Sequence, residues 1–197
     1  NMTLFFALFA ACLMAGKGAP QSQYDYSLTL GEETFDPTRQ VIVMPTEWEF
    51  ASQNGGALRL VQFDGPIQEE WISDLKDAGI TPIQYIHPFT YITWAQPSSL
   101  ENANTISHVR FAGDFLNGYK VLPKWRNLTD EQVKTKLMVY KGSSLDESIA
   151  LIREAGAIRI DNHALDSRFE IVSCVISGTK YIELSKIQNV LTIQPAP

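Results

Sequence analysis

The sequence predicts a mixed α+β fold in which one small unit of strands and helices occurs twice. Short β-rich runs alternate with helical spacings of apolar residues between 58 and 111, and the same order returns later in the chain. Two pairs of residues support the repeat. Leu137 follows Leu60, and Glu154 follows Asp77, by the same number of residues. This spacing indicates two tandem copies of a domain rather than a solenoid, whose repeats are shorter and more numerous.

The first copy is predicted from hydrophobic periodicity and from turn residues. The turn Asp64-Gly65-Pro66 ends its first strand, and Gly79 ends its first helix. The gap Ile86-His87-Pro88 between two β-rich runs is too short for a helix and suits a hairpin. The segments are, in order, a strand at 58–63, a helix at 67–78, strands at 80–85 and 89–95, a short helix within 97–106 and a strand at 109–111.

The second copy begins with a strand from Leu137. Its helix has a clear start, because Ser144 and Glu147 have the spacing of a capping box. Strands at 158–160 and 169–176, a short helix at 181–187 and a strand at 190–193 follow. The order is again βαββαβ, the split βαβ pattern of ferredoxin-like folds. We therefore expect an α+β protein of two tandem ferredoxin-like domains, each an antiparallel sheet with helices on one face and a free opposite face.

The expected division of the chain follows from these two copies. The ranges are a signal peptide at 1–19, a lead-in and linker at 20–56, a first domain at 57–113, a linker at 114–135 and a second domain at 136–197. In the lead-in, residues 40–45 are expected to form a strand that adds to the edge of the first sheet. The linker carries Tyr119, Val121 and Trp125, apolar side chains that need to be covered.

Composition and charge narrow the class of partner. The chain has 197 residues, a net charge of −6 and no cluster of basic residues, whereas binding to nucleic acid needs Lys and Arg concentrated on one face. No nucleic-acid partner is therefore expected.

The apolar run from Leu4 to Ala15 is too short to span a bilayer and has the length of the core of a secretory signal. It predicts export, to the periplasm or out of a bacterial cell, with no membrane span after the signal is removed. Cys12 is expected to be a small apolar residue of this signal, with lipid attachment as the alternative.

The sequence contains no recognisable catalytic or metal-binding motif. It lacks a Gly-rich phosphate loop, paired Cys or His residues at metal-ligand spacing, and a Gly-x-Ser-x-Gly elbow. Cys174 lies in an apolar run and is expected to be a buried hydrophobe, and Asp64 and Asp161 are expected to form turns. The histidines are scattered and are expected at loop or surface positions; they are His87, His108 and His163. We therefore predict no catalytic residue, no cofactor and no metal.

These residues also carry a resemblance to a known family. The segments concerned are Leu60-Val61-Gln62-Phe63-Asp64-Gly65-Pro66-Ile67, Trp71, Leu75, Ala78-Gly79, Ile83 to Ile86, Tyr91-Ile92, Val109-Arg110-Phe111 and Tyr119-Lys120-Val121-Leu122-Pro123. They resemble the N-terminal region of exported bacterial subtilisin-like serine peptidases. The doubled unit also resembles the ferredoxin-like propeptides of that family, which are related in fold to small peptidase inhibitors. The resemblance covers residues 58–197.

The resemblance implies a role beside an enzyme. The family's catalytic signatures (Asp-Thr/Ser-Gly, His-Gly-Thr and Gly-Thr-Ser-x-Ala) do not occur in this sequence. The chain is therefore expected to be the propeptide-like front of a longer precursor and to act as an intramolecular chaperone, inhibitor or docking module for a subtilisin-like catalytic domain in cis. The residues expected to enter the substrate cleft by β-pairing, as a product-like inhibitor, are Ile193, Gln194, Pro195 and Ala196.

Two alternatives remain open at this point. One is a non-catalytic protein-binding or structural module of a secreted protein. The other is a ferredoxin-like domain that binds a small ligand or a metal.

Overall fold

The computed structural model describes residues 23–50 and 54–197 and has a mixed α+β fold. Within these residues, four α-helices accompany three antiparallel sheets, one of two strands and two of four strands. The expected signal peptide at 1–19, which includes Cys12, lies outside the described residues.

The first unit has the element order predicted from the sequence. Two short strands of the lead-in, β1 (Leu28–Leu30) and β2 (Glu33–Phe35), precede this unit. The unit comprises β3 (Ala57–Phe63), α1 (Glu69–Asp77), β4 (Thr81–Ile86), β5 (Thr90–Ala95), α2 (Pro97–Ala103) and β6 (Val109–Asp114). The strands lie in the order β4-β5-β3-β6, and each neighbouring pair is antiparallel. Gly79 follows α1 with a φ of 80°, the left-handed conformation in which glycine commonly ends helices. The β4–β5 turn contains a cis peptide bond between His87 and Pro88.

The second unit repeats this order. It comprises β7 (Gln132–Tyr140), α3 (Leu145–Glu154), β8 (Ile158–Ala164), β9 (Phe169–Ser177), α4 (Tyr181–Ser185) and β10 (Val190–Pro195). The strands lie in the order β10-β7-β9-β8, again antiparallel throughout. β7 begins before the boundary expected at 136, because Gln132 already pairs with Ser177 of β9.

Alternate side chains of each central strand point to opposite faces of the sheet, and one face packs on the helices of its own unit. In the first unit, Val61 and Phe63 of β3 form a cluster with Leu75 of α1. In the second unit, Leu137 of β7 packs in the same way with Ile152 of α3. Each unit therefore has its own core between sheet and helices.

The other faces of the two sheets meet each other. Leu58 and Leu60 of β3 share one buried cluster with Tyr140 of β7, Phe169 of β9 and Leu191 of β10. Burial of a leucine side chain contributes about 2 kcal/mol to the free energy of folding. Exposure of these apolar sheet faces to water would therefore destabilise the protein. The free sheet face expected from the sequence is therefore covered, because apolar residues occupy both faces of these strands and each unit covers the other.

The lead-in completes this covering. β1 (Leu28–Leu30) and β2 (Glu33–Phe35) form an antiparallel hairpin around Gly31, which has a φ of 62°. Leu30 and Phe35 of this hairpin join the cluster between the two sheets.

The prediction of a strand at 40–45 is wrong. No strand is assigned to this segment, and it does not pair with the first sheet. Ile42 packs against both the second core and the cluster between the sheets, whereas Val41 and Val43 are 92% and 93% exposed. The segment is therefore an extended connection held by alternate side chains.

Candidate interaction site at the C-terminal strand

The four residues predicted to enter a protease cleft lie in or directly after β10. Ile193 pairs with Leu137 of β7, and its side chain is 1% exposed in the second core. Gln194 is exposed, and Pro195 is half-buried. The Ala196 N–H donates a hydrogen bond of 2.7 Å to the Lys134 carbonyl oxygen. The structure therefore holds the segment along β7, and Gln194 is its exposed side chain.

A short 3-10 turn fixes the approach of the chain to β10. The turn spans Asn117–Lys120, and its last residue is 3% exposed. The Lys120 Nζ atom donates hydrogen bonds to the carbonyl oxygens of Ser185, at 2.8 Å, and Ile187, at 2.9 Å. These two oxygens belong to the end of α4 and the segment leading into β10, so Lys120 links the inter-unit connection to the C-terminal strand.

Burial determines the electrostatic state of this lysine. The removal of the ammonium group from water lowers the pKa of Lys120 from 10.5 to about 7. The hydrophobic pattern of this segment marks only the apolar neighbours Tyr119 and Val121, so the burial of Lys120 was not predicted. The available signal was a single lysine between apolar residues that themselves needed covering.

The opposite edge of the second sheet is more open. Every residue of β8 is exposed except Ile160, which is half-buried. A bulge interrupts the pairing of β8 with β9 between Ile158 and Asp161, and Arg159 within it has a φ of 52°. A bulge of this kind bends an edge strand and weakens its ability to template another strand. β8 is therefore a poorer site for strand addition than its exposure alone indicates.

The fold brings together three residues that sequence analysis treated separately. The His108 ring stacks on Trp71 with centroids 4.3 Å apart, and its Nδ1 atom lies 3.4 Å from the Asp64 carboxylate. Both the His108 and Asp64 side chains are about half exposed. The group therefore forms a surface contact between the end of β3, α1 and the turn before β6.

The corresponding contact in the second unit is buried. Ser148 of α3 donates a hydrogen bond of 2.8 Å to the Asn189 side-chain oxygen, and the Asn189 amide donates one of 2.9 Å to the Tyr140 carbonyl oxygen. The helix and the last strand are thus joined at the same place in both units, by ring stacking in one and by hydrogen bonds in the other.

The other candidate residues do not assemble into a site. His87 lies in the β4–β5 turn, whereas Asp161 and His163 lie on the exposed edge strand β8. Cys174 is 4% exposed in the second core, and burial raises the pKa of its thiol to about 11. The thiol is therefore protonated at neutral pH, as expected for a structural cysteine.

Among residues 23–50 and 54–197, no group of three His, Cys, Asp or Glu side chains is placed to hold a metal ion. No described helix combines the length and the apolar character needed to cross a membrane.

Part of the chain matches a known domain family. A domain family described as a domain of unknown function (DUF8729) matches residues 29–116. The matched span contains most of β1, the rest of the lead-in and the whole first unit. The comparisons with curated proteins and with solved structures gave no match.

Proposed function

We propose that this chain is a non-catalytic, propeptide-like docking module for a subtilisin-like serine peptidase domain, which it inhibits or assists in folding. The support is the resemblance of residues 58–197 to the N-terminal regions of such peptidases, together with the repeated unit. The observation that carries the proposal is that both units have the same element order and the same strand order.

The finer fold assignment belongs to this proposal. In each unit the fourth strand lies beside the first, and the third strand lies between the first and the second. This arrangement fits two tandem ferredoxin-like domains, a fold built from a split βαβ pattern.

The covered sheet faces limit how docking would work. A partner cannot pack on them without separating the two units, because Leu58, Tyr140 and Leu191 share one buried cluster. We therefore propose that contact with the peptidase is made at the end of β10, where Gln194 is exposed and residues 195–197 continue the chain. An extended segment at this position can pair with a substrate-binding strand of the peptidase.

The proposed setting is outside the cytoplasm. The apolar run at 4–15 supports export of the precursor to the periplasm or beyond, with the peptidase domain in cis. The net charge of −6 without a basic cluster supports a protein partner rather than nucleic acid.

A peptidase assay tests this function. The purified chain is mixed with a subtilisin and the residual activity is measured over a range of concentrations. We expect inhibition, and we expect Gln194→Asp to weaken it by about tenfold, equivalent to 1.4 kcal/mol, because in the proposed complex the cleft closes over this side chain. Gln84→Asp, the same change at an exposed position of β4, is the matched control. Full activity at roughly 100 µM wild-type chain would refute the inhibitor role.

The closed sheet faces favour one second candidate, a structural or binding module that stays attached to a secreted protein. A pair of units that cover each other is a self-contained block. Peptide mass mapping of the mature protein separates the two functions: peptides from 57–197 in the mature chain support the module, and their loss on maturation supports the propeptide.

A further inference from the structure

A polar cleft of about 410 Å³ lies between the two units. β5 of the first unit forms one wall, and the first turn of α3 with the loop before β10 forms the other. The polar and aromatic residues that line it are Trp94, Gln96, Ser143, Glu147, Ser148, Gln188 and Asn189. None of these residues belongs to the β10 end proposed to contact the peptidase.

The aromatic wall is held firmly in place. The Trp94 ring lies 5.6 Å from the Tyr140 ring of the second unit, centroid to centroid. A Cβ atom at Gly56 would lie 2.7 Å from the Trp94 Nε1 atom, so the glycine allows the indole to lie against the backbone. The ring is therefore packed between the Gly56 backbone and Tyr140 at the cleft.

The floor of the cleft is fixed by hydrogen bonds. Ser148 donates to Asn189, and Asn189 donates to the Tyr140 carbonyl oxygen. These groups are buried, and they form hydrogen bonds with one another. They give the cleft its shape and leave recognition to the groups on its rim.

Glu147 sets the charge of the cleft. It is the one charged residue among the described residues that line it. Its backbone N–H donates to the Ser144 hydroxyl, as in a capping box. In a full capping box the glutamate side chain would bond back to the N-cap N–H. Within the described part of the chain the Glu147 carboxylate makes no hydrogen bond or ion pair, so this exposed acceptor is available to a ligand.

A second groove continues from the cleft. It has a volume of about 530 Å³, lies between α3 and α4, and shares Leu151, Ile187 and Gln188 with the cleft. Leu151 is 41% exposed there and offers an apolar contact. A ligand that fills the cleft can therefore extend along the helices. This favours a peptide with a cationic side chain over a small cationic molecule such as an amine.

We propose that this cleft binds an arginine side chain of an extended peptide segment in a partner protein, with an apolar residue of that segment on Leu151. The guanidinium would pair with the Glu147 carboxylate and lie against the Trp94 ring, since arginine combines forked hydrogen bonding with stacking on aromatic rings. This binding does not depend on the proposed docking to a peptidase.

Peptide titration of the full chain tests the proposal. The probe is acetyl-Ala-Arg-Leu-Ala-amide, and the control peptide carries citrulline, a neutral isostere, in place of arginine. Binding is followed by the amide and indole N–H resonances of the ¹⁵N-labelled protein. We expect the arginine peptide to shift the Trp94 indole resonance and the amides at 143–148 and 187–189, and the citrulline peptide to bind more weakly.

Two variants test whether the Glu147 carboxylate binds the arginine. Glu147→Gln should weaken binding of the arginine peptide by about tenfold, the effect of losing one charge-assisted hydrogen bond. Asp146→Asn removes an equal charge from the same exposed helix turn, outside the cleft, and should leave binding unchanged. The proposal is overturned by the absence of shifts at about 5 mM peptide, by equal binding of the citrulline peptide, or by equal effects of the two variants.

Discussion

The Arg110 guanidinium donates two hydrogen bonds of 2.8 Å to the two carboxylate oxygens of Asp36 and so fastens the lead-in to the first sheet. Its Nη1 atom also donates to the Gln62 side-chain oxygen at 2.7 Å, and the guanidinium carbon lies 4.0 Å from the centre of the Tyr26 ring. This contact joins the lead-in to the first unit, in agreement with a domain family that spans 29–116.

Removal of this ion pair should destabilise the protein strongly. The side chains of Arg110 and Asp36 are 15% and 12% exposed, so Asp36→Ala leaves a largely buried cation without its partner. We expect a loss of about 3 kcal/mol in the free energy of unfolding. Urea unfolding measures it.

The control uses the same carboxylate. Arg39 lies 3.5 Å from Asp36, but its side chain is 72% exposed. Arg39→Ala should therefore cost less than about 1 kcal/mol. If Asp36→Ala and Arg39→Ala lower the free energy of unfolding equally, the burial of the Arg110–Asp36 pair does not explain its contribution to stability.

The Arg110–Asp36 pair should make the free energy of unfolding depend on pH in the acid range. Burial raises the pKa of Asp36, but hydrogen bonds from Arg110 and Thr38 outweigh it, so the folded pKa lies below its usual 3.8. A carboxyl group with a lowered folded pKa stabilises the protein above its unfolded pKa, and this stabilisation is lost as the pH falls through the folded value. Unfolding of Asp36→Asn should show a smaller loss of stability below about pH 4 than the wild type; an unchanged acid profile would contradict this.

Lys120 should make the free energy of unfolding rise with pH as well, but in a neutral to alkaline window. Its folded pKa of about 7 lies below the usual 10.5, so between these values the unfolded chain binds the extra proton. The free energy of unfolding should then rise with pH over this window. Lys120→Met should remove the rise, and Lys124→Met, at an exposed site nearby, should retain it. Thermal unfolding from pH 6.5 to 10.5 makes the comparison; parallel profiles in wild type and Lys120→Met would refute the assignment.

Gly178 should not accept a side chain. A Cβ atom there would lie 2.7 Å from the backbone oxygen of Thr129, which cannot move aside as a flexible side chain can. Gly178→Ala should cost about 1–3 kcal/mol of stability, as other overpacked sites do. At Gly65 the nearest atom to such a Cβ is 3.5 Å away, so Gly65→Ala is the control. Chemical denaturation checks both, and a neutral Gly178→Ala would contradict the observed packing.

Within the two units the sequence predicts the secondary structure well, because periodicity and turn residues are local signals. Gly79 ends α1, and Ser144 caps α3, as their positions indicate. The repeated order is visible because Leu60 and Leu137 lie in the first strands of two similar units, although Leu60 faces the cluster between the sheets and Leu137 faces the second core.

Contacts between distant segments could not be predicted in this way. β3 has apolar residues on both faces of the sheet, but its sequence does not indicate which segment covers Leu58 and Leu60. The Arg110–Asp36 pair and the burial of Lys120 likewise depend on how the lead-in and the connection fold over the units. The burial of the tail residue Ile193, which is predicted to enter a protease cleft, in the second core likewise depends on the pairing of β10 with β7.

The most direct test of the proposed docking is isothermal titration of the purified chain into a subtilisin whose catalytic serine has been replaced. The proposal predicts a one-to-one complex with a dissociation constant of about 1 µM or tighter, weakened by Gln194→Asp and not by Gln84→Asp. The absence of binding at roughly 100 µM, or a complex insensitive to Gln194, would contradict it.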